Sequence, residues 1–208
     1  MLDHEYAVLG GLNRAKVGHL IGALAAALGS ILITLVIAGL ELLERLSLID
    51  AVPKVLLWPV TAGMIYLGLY WIFDNHLWKI KFVATWLKVP DLAGKWKCTG
   101  QPINPDKTLG LPWHADIEIT QSWDKVRVRL KGQQSGSNST SAALLHDPID
   151  GFRLMYSYLN DPYPGEINIV GHRGFAELTF DHNLQGANGE YFNGQGRFTF
   201  GTLKLIKV

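Results

Sequence analysis

The sequence predicts a membrane α-helical hairpin of two transmembrane helices, joined to a small all-β domain. Two apolar runs, Val17 to Leu40 and Val55 to Phe73, lie in the first third of the chain and contain no Asp, Glu, Lys or Arg. No run of this kind follows Pro90. Apolar and polar residues alternate there instead, with the period of two that is typical of half-buried strands.

The two apolar runs have the length of membrane-spanning helices, since about 20 residues at a rise of 1.5 Å cross the ~30 Å hydrocarbon layer. A helix satisfies its own backbone hydrogen bonds in lipid, and a soluble helix would normally show a polar face. We assign transmembrane helices to residues 17–40 and 55–73, an N-terminal cytosolic segment to 1–16 and a loop to 41–54. A cleaved signal is disfavoured because the first run exceeds the usual ~7–15-residue apolar core and a second run follows at once.

Basic residues near the spans predict the orientation of the hairpin, because positive charge is retained on the cytoplasmic side. The flanking residues are Arg14 and Lys16 before the first span, Lys79, Lys81 and Lys88 after the second, and Arg45 and Lys54 between them. This bias predicts a multi-pass membrane protein with both termini in the cytoplasm. The single cysteine, Cys98, permits no internal disulfide and is compatible with a reducing compartment.

Small residues recur at every fourth position of the first span and predict close helix packing. The stripe consists of Gly18, Gly22, Ala26 and Ser30. Two interpretations remain open: the stripe docks the second span of the same chain, or it brings several copies together.

Residues 74–90 mix aromatic, aliphatic and basic side chains, which is typical of a juxtamembrane amphipathic helix in the headgroup layer. Pro90 cannot continue such a helix and marks the start of a cytosolic domain over residues 91–208.

The alternating pattern of this domain predicts about eight antiparallel strands. A hairpin joins Ala115–Ile119 to Val126–Leu130. The other expected strands are Ala93 to Gly100, Ser137 to Leu145, Gly151 to Leu159, Glu166 to Val170 with Gly174 to Phe180, Gly189 to Asn193, and Arg197 to Lys207. A sandwich and a closed barrel both suit this count. The short turns favour an up-and-down barrel, whose interior holds packed side chains or one small ligand.

Gly94-Lys95-Trp96 resembles the Gly-x-Trp of lipocalin-type barrels, in which the tryptophan closes one end. This resemblance gives Gly94 and Trp96 a structural role.

Catalytic and metal-binding signatures are absent from the sequence, so we expect neither an enzyme nor a cofactor. There is no Gly-rich phosphate loop, nucleophile elbow or paired-cysteine metal site. His114, Asp116 and Glu118 alternate on one strand and could bind a metal or transfer protons, but this pattern is more typical of a solvated outer face. A net charge of +1 argues against a DNA or RNA polymer as partner.

The complete layout resembles the two-transmembrane β-barrel effectors of bacterial CBASS antiphage defence, the family called CD-NTase-associated protein fifteen. The resemblance covers nearly the whole chain and rests on the order of its parts. It also rests on Asp91-Leu92-Ala93-Gly94-Lys95-Trp96, Gly189-Glu190-Tyr191-Phe192-Asn193 and Gly201-Thr202-Leu203-Lys204-Leu205.

The resemblance implies a regulatory ligand and a lethal response. A partner CD-NTase nucleotidyltransferase would make a cyclic dinucleotide, and the barrel would bind it. The effector would then form homo-oligomers and disrupt the inner membrane, so that the infected cell dies by abortive infection. A membrane-anchored, lipocalin-like protein that binds a small apolar ligand is the alternative.

A cyclic dinucleotide presents bases and phosphates, so its receptor needs aromatic faces and cationic donors. The candidate ligand-binding residues are Arg127, Arg129, Arg153, Tyr156, Tyr158, Arg173 and Arg197. The sequence leaves open whether the ligand binds inside one barrel or between barrels.

Overall fold

A computed structural model describes residues 3–47, 58–194 and 197–208, without the side chains of 58–61. The chain forms two compact units. One unit comprises Leu12–Leu77 and contains two long helices, and the other combines the N-terminal residues up to Gly11 with Trp78–Val208.

The helical unit consists of α1 (Arg14–Arg45) and α2 (Trp58–Asn75). Helix α1 begins after Asn13, whose side chain accepts a hydrogen bond from the backbone N–H of Ala15 at 2.8 Å. With 32 residues and an apolar sequence, α1 is long enough to cross a membrane. The predicted second span starts at Val55, and its first three residues lie outside the described part of the chain.

The connector contains a short 3-10 turn, Leu77–Lys79, and a helix, α3 (Lys81–Leu87). Helix α3 ends at Lys88, which adopts a left-handed conformation and donates its backbone N–H to Ala84 and Thr85 carbonyls. Leu87 is fully buried, whereas Phe82 and Trp86 are exposed. The expected short helix before Pro90 is present, and its placement in the headgroup layer stays a prediction.

The β unit is a closed barrel, which confirms the predicted fold class. Its strands are β1 (His4–Leu9), β2 (Gly94–Ile103), β3 (Trp113–Gln121), β4 (Lys125–Lys131), β5 (Ser135–Asp147), β6 (Gly151–Pro162), β7 (His172–Phe180), β8 (Gly186–Asn193) and β9 (Phe200–Lys207). Strands β2 to β9 pair with their sequence neighbours in antiparallel fashion, and β9 closes the ring by pairing with β2.

The N-terminal segment differs from its sequence interpretation, because part of residues 1–16 is strand β1 of the barrel. Strands β4 and β5 pair directly only over Arg129–Lys131. Where they diverge, β1 inserts between them, antiparallel to β4 and parallel to β5. Tyr6 holds this strand in the wall: it is buried, and its hydroxyl accepts a hydrogen bond from Gln121 Nε2 at 3.2 Å.

A second difference lies between β6 and β7, where the expected strand over Glu166 to Val170 does not form. The segment turns at Pro164 and Gly165, and the Glu166 backbone N–H bonds to the Tyr163 carbonyl at 3.1 Å. Proline lacks an N–H for a ladder, which explains why β6 ends here.

One end of the barrel is filled by large apolar side chains. Trp96 is buried there, with its Nε1 donating to the Leu92 carbonyl at 3.3 Å. Its ring packs edge-on against Phe180, at a centroid distance of 5.4 Å. Gly94, just before it, has a φ of 138°, a conformation that glycine adopts readily. The other end of the barrel is open.

Candidate ligand cavity in the barrel

A cavity of about 340 Å³ occupies the open end of the barrel. This volume falls within the range of small-molecule sites, roughly 300–1,000 Å³. It is formed where β2, β4, β6 and β8 end and where β3, β5, β7 and β9 begin. Trp113, Tyr156, Tyr158 and Tyr191 provide its aromatic lining.

The aromatic residues form two pairs. Tyr156 and Tyr158 alternate on the inner face of β6, with ring centroids 6.1 Å apart. Trp113 meets Tyr191 edge-on at 5.8 Å, and its Nε1 donates to the Tyr191 hydroxyl at 3.3 Å. These rings offer flat surfaces on which a nucleobase can stack.

Two glycines make room for these rings. A Cβ on Gly100 would overlap the Trp113 indole, which lies across the inner face of β2. A Cβ on Gly174 would overlap the Tyr158 ring, and it would also lie only 2.7 Å from the Phe192 carbonyl oxygen. Gly100 and Gly174 therefore determine how far the two aromatic side chains can lean across the barrel wall.

Hydrogen bonds connect the aromatic wall to the loop at the cavity rim. The Tyr158 hydroxyl donates to Asn193 Oδ1 at 2.8 Å. Asn193 in turn donates from Nδ2 to Thr199 Oγ1 at 2.7 Å. The loop between Asn193 and Thr199 carries Arg197, whose exposed side chain contributes to the cavity lining. A guanidinium is thereby placed at the entrance.

The cavity is electrostatically suited to an anion. Burial raises the pKa of Tyr156 and Tyr158, so both remain neutral phenols. Burial also raises the pKa of Tyr191, while the Trp113 hydrogen bond and the Arg197 charge lower it. The cavity lining in the described residues contains no Asp or Glu, so Arg197 contributes positive charge without a carboxylate beside it.

A row of three buried polar residues crosses the wall near the mouth. Asn160 on β6 lies opposite Ser137 on β5 and opposite His172 on β7. All three are at most 7% exposed and line the cavity. His172 Nδ1 bonds to the Val170 carbonyl at 2.9 Å, whereas Asn160 Oδ1 has no hydrogen-bond partner among the described residues.

The structure brings three of the seven candidate ligand-binding residues together in this cavity: Tyr156, Tyr158 and Arg197. The other four lie on the outer wall. Arg127 donates to Asn138 Oδ1 at 2.6 Å, and Arg153 pairs with Glu177 at 2.9 Å. Arg129 and Arg173 are exposed on the outer faces of β4 and β7.

Sequence reasoning missed several cavity residues, among them Trp113, Asn160, His172 and Asn193. One signal was available: Asn160 has the same strand parity as Tyr156 and Tyr158, and therefore points to the same side of β6. Trp113 required the pairing of strands that are distant in sequence, and His172 and Asn193 required the register of the β6–β7 and β7–β8 pairs.

The alternating residues His114, Asp116 and Glu118 are exposed on β3, and His114 also borders the cavity. Asp116 forms an ion pair with Lys97 at 2.6 Å, and His114 Nδ1 contacts Thr99 Oγ1 at 3.2 Å. No group of three potential metal ligands occurs in the described ranges.

The small-residue stripe of α1 divides between two environments. Gly18 and Gly22 lie beside Tyr66 of α2, at about 4 Å from where a Cβ would be. Ala26 and Ser30 are exposed, and Gly29, one position away, packs on Ala62. Half of the stripe therefore docks the second helix of the same chain.

Comparisons with known proteins agree with the order of these parts. The family model described as Cap15, TM helices, matches residues 15–79, and the model described as Cap15, cyclic dinucleotide receptor domain, matches residues 87–207. A curated relative from Yersinia aleksiciae, called CD-NTase-associated protein 15, is 40% identical over 208 residues, covering 100% of this chain and 99% of the relative. With both of its units matched in order and its full length shared with that relative, the chain belongs to the Cap15 family and combines a cyclic dinucleotide receptor domain with membrane-associated helices.

Proposed function

We propose that the protein is the membrane effector of a CBASS antiphage system, without enzymatic activity of its own. A cyclic dinucleotide made by a partner CD-NTase binds in the barrel cavity. The effector then assembles into homo-oligomers, and its transmembrane helices disrupt the inner membrane. Disruption kills the infected cell before the phage completes its cycle.

The observation that carries this proposal is the composition of the cavity. Neutral aromatic rings line its interior, and Arg197 stands at its entrance. A cyclic dinucleotide needs stacking surfaces for its bases and a cation for its phosphates, and the cavity offers both. The polar row of Ser137, Asn160 and His172 would leave polar groups unpaired against an apolar ligand, so a lipocalin-like carrier function is disfavoured.

The position of β1 supports a two-span topology. This strand precedes α1, yet it pairs with β4 and β5 of the barrel, which follow α2. A folded barrel lies on one side of the bilayer, so the chain between Leu9 and Gly94 must cross it an even number of times. Spans in both α1 and α2 satisfy this condition, and both chain termini then lie on the same side, which the basic flanks place in the cytoplasm.

The helix surfaces suggest how assembly affects the membrane. Ala26 and Ser30 are exposed on α1. Close packing between copies at such small residues would bring several helix pairs together. A ligand promotes this assembly only if it binds the assembled form more tightly than the free form.

Reconstitution of the full-length protein in dye-loaded vesicles of inner-membrane lipids tests the proposal. Addition of a panel of cyclic dinucleotides of different bases and linkages is expected to release the dye with at least one of them. Release that is independent of every nucleotide, or absent with all of them, would contradict ligand gating. In cells, the corresponding readout is depolarisation upon expression with the partner CD-NTase.

Two matched arginine variants locate the site. Arg197→Ala removes a cation from the cavity rim, and Arg173→Ala removes an exposed cation from the outer wall. We expect Arg197→Ala to weaken nucleotide binding by roughly 5- to 10-fold, the effect of losing one partly solvated charge-assisted contact. Arg173→Ala should bind as the wild type does. The reverse result would place the ligand between barrels.

A further inference from the structure

The polar row on the cavity wall differs from the rest of the barrel interior, which is predominantly apolar. Four polar residues are buried in the described part of the chain: Ser137, Ser139, Asn160 and His172. Ser139 is used by the fold, since its Oγ accepts the Val128 backbone N–H at 2.9 Å and contacts His4 Nε2 at 2.7 Å. The remaining three form the row that lines the cavity.

Asn160 occupies the centre of this row and is only 7% exposed. Its Oδ1 is buried without a hydrogen-bond partner among the described residues. Buried polar atoms are normally paired, and an unpaired one destabilises the folded state. The fold therefore retains at this position a group that it does not itself use, on the wall of the candidate ligand site.

His172 adds a second acceptor beside the first. Its Nδ1 bonds to a carbonyl oxygen, which can only accept, so Nδ1 carries the proton. In the neutral imidazole, Nε2 is then an acceptor. Asn160 and His172 are direct partners across β6 and β7, which places their Cβ atoms about 5 Å apart. Ser137 on the opposite side of Asn160 can donate or accept.

We propose that Asn160, flanked by Ser137 and His172, reads the hydrogen-bonding edge of one base of the bound dinucleotide and determines which base this site prefers. This proposal rests on the proposed function. The carboxamide matches N–H and acceptor groups on a base edge, as asparagine does when it pairs with adenine. The aromatic residues stack on any base and cannot discriminate in this way.

A base-reading role predicts opposite effects on stability and on binding. In Asn160→Leu, an apolar side chain of similar size replaces the unpaired amide, so the ligand-free protein should be at least as stable as the wild type. The same variant should lose binding, because a polar base edge would then face an apolar side chain. A merely structural asparagine would show destabilisation instead.

Binding of cyclic di-AMP, di-GMP, di-CMP, di-UMP and the mixed cyclic dinucleotides of these four bases to the full-length protein in nanodiscs tests the inference. We expect Asn160→Leu to weaken binding of the preferred nucleotide about 10-fold or more. We also expect it to reduce the ratio of the affinities for the best and the second-best ligand. Asn188→Leu, at an exposed position on the outer face of β8, is the matched control and should change neither. Asn160→Ala provides the same comparison if the leucine variant does not fold.

The outcomes separate this inference from the proposed function. If the Asn160 variants bound the nucleotides with the same affinity and the same ratio of affinities as the wild type, the base-reading role would be overturned and the effector function would remain intact. A wild-type protein that binds none of these homo- and mixed dinucleotides would overturn both. A lower ratio with unimpaired thermal stability supports the role of Asn160.

Discussion

Replacing Gly174 by alanine tests the contact that positions Tyr158. The added Cβ would overlap the Tyr158 ring and lie 2.7 Å from the Phe192 carbonyl oxygen. That oxygen belongs to the paired strand, so the backbone as well as the side chain must shift. Overpacking of this kind costs about 1–3 kcal/mol. Loss of the 2.8 Å hydrogen bond from Tyr158 to Asn193 adds about 1 kcal/mol, which gives a total of about 2–4 kcal/mol.

Gly171→Ala is the matched control for this substitution. Gly171 lies three residues before Gly174, and a Cβ there would meet the Asn160 carbonyl oxygen at 3.5 Å, an ordinary contact. We expect its effect to stay within about 1 kcal/mol, since the unfolded chain loses entropy when glycine becomes alanine. Amide hydrogen exchange of β6 and β7 in the full-length protein measures both variants. Equal protection in Gly174→Ala and Gly171→Ala would refute the steric reasoning.

Three further predictions concern the rest of the barrel. Tyr6→Ala should destabilise the barrel by about 3–5 kcal/mol, measured by hydrogen exchange of β4 and β5, because it empties a buried site in the wall. Burial raises the pKa of the Cys98 thiol from 9.0 to about 12, so the thiol should resist alkylation in the folded state. The stabilisation of the folded state by the neutral, buried thiol is complete below about pH 9. It is lost between pH 9 and 12, where only the unfolded thiol ionises. Cys98→Ala should therefore flatten the alkaline decline of the free energy of unfolding in denaturation experiments. Arg153→Ala should lower the free energy of unfolding by less than about 1 kcal/mol, because the ion pair with Glu177 is one-third exposed. This difference between variant and wild type should depend on the salt concentration.

Much of the fold could be predicted because the elements carry their own periodicity. Val126 and Val128 are buried and Arg129 is exposed, as alternation on β4 indicates. The same parity places Arg127 and Arg129 on the opposite side of the wall from the cavity. Alternation thus identifies which residues share a face of the strand, and the face that carries the apolar residues is the inner one.

The N-terminal strand could not be recognised in this way. His4–Leu9 is only six residues long, and its sequence does not alternate between polar and apolar residues. It pairs with residues of β5 such as Ala142, which lie far away in the sequence. Pairing across such a separation leaves no local signal in either strand, because it depends on the gap left where β4 and β5 diverge.

The cavity residues could also be predicted from the sequence only in part, for a different reason. Tyr156, Tyr158 and Arg197 were identified from residue type, whereas Trp113 on β3 and Tyr191 on β8 meet only after β9 closes the barrel by pairing with β2. Their contribution depends on closure and on small neighbours such as Gly100. Residue type therefore indicates the ligand chemistry, and strand order determines which residues act together.

Because β1 belongs to the barrel, the barrel is covalently connected to the helices at two places. The chain leaves β1 at Leu9 and enters α1 at Arg14, while the connector after α2 enters the barrel through β2. The Gly10–Gly11 segment between β1 and α1 is closely packed, since a Cβ on Gly11 would overlap Val8 and approach the Leu87 carbonyl. Because β1 precedes α1 in the chain, a barrel fragment that starts at Asp91 lacks one strand of its wall, and the full-length chain is the appropriate object for binding experiments.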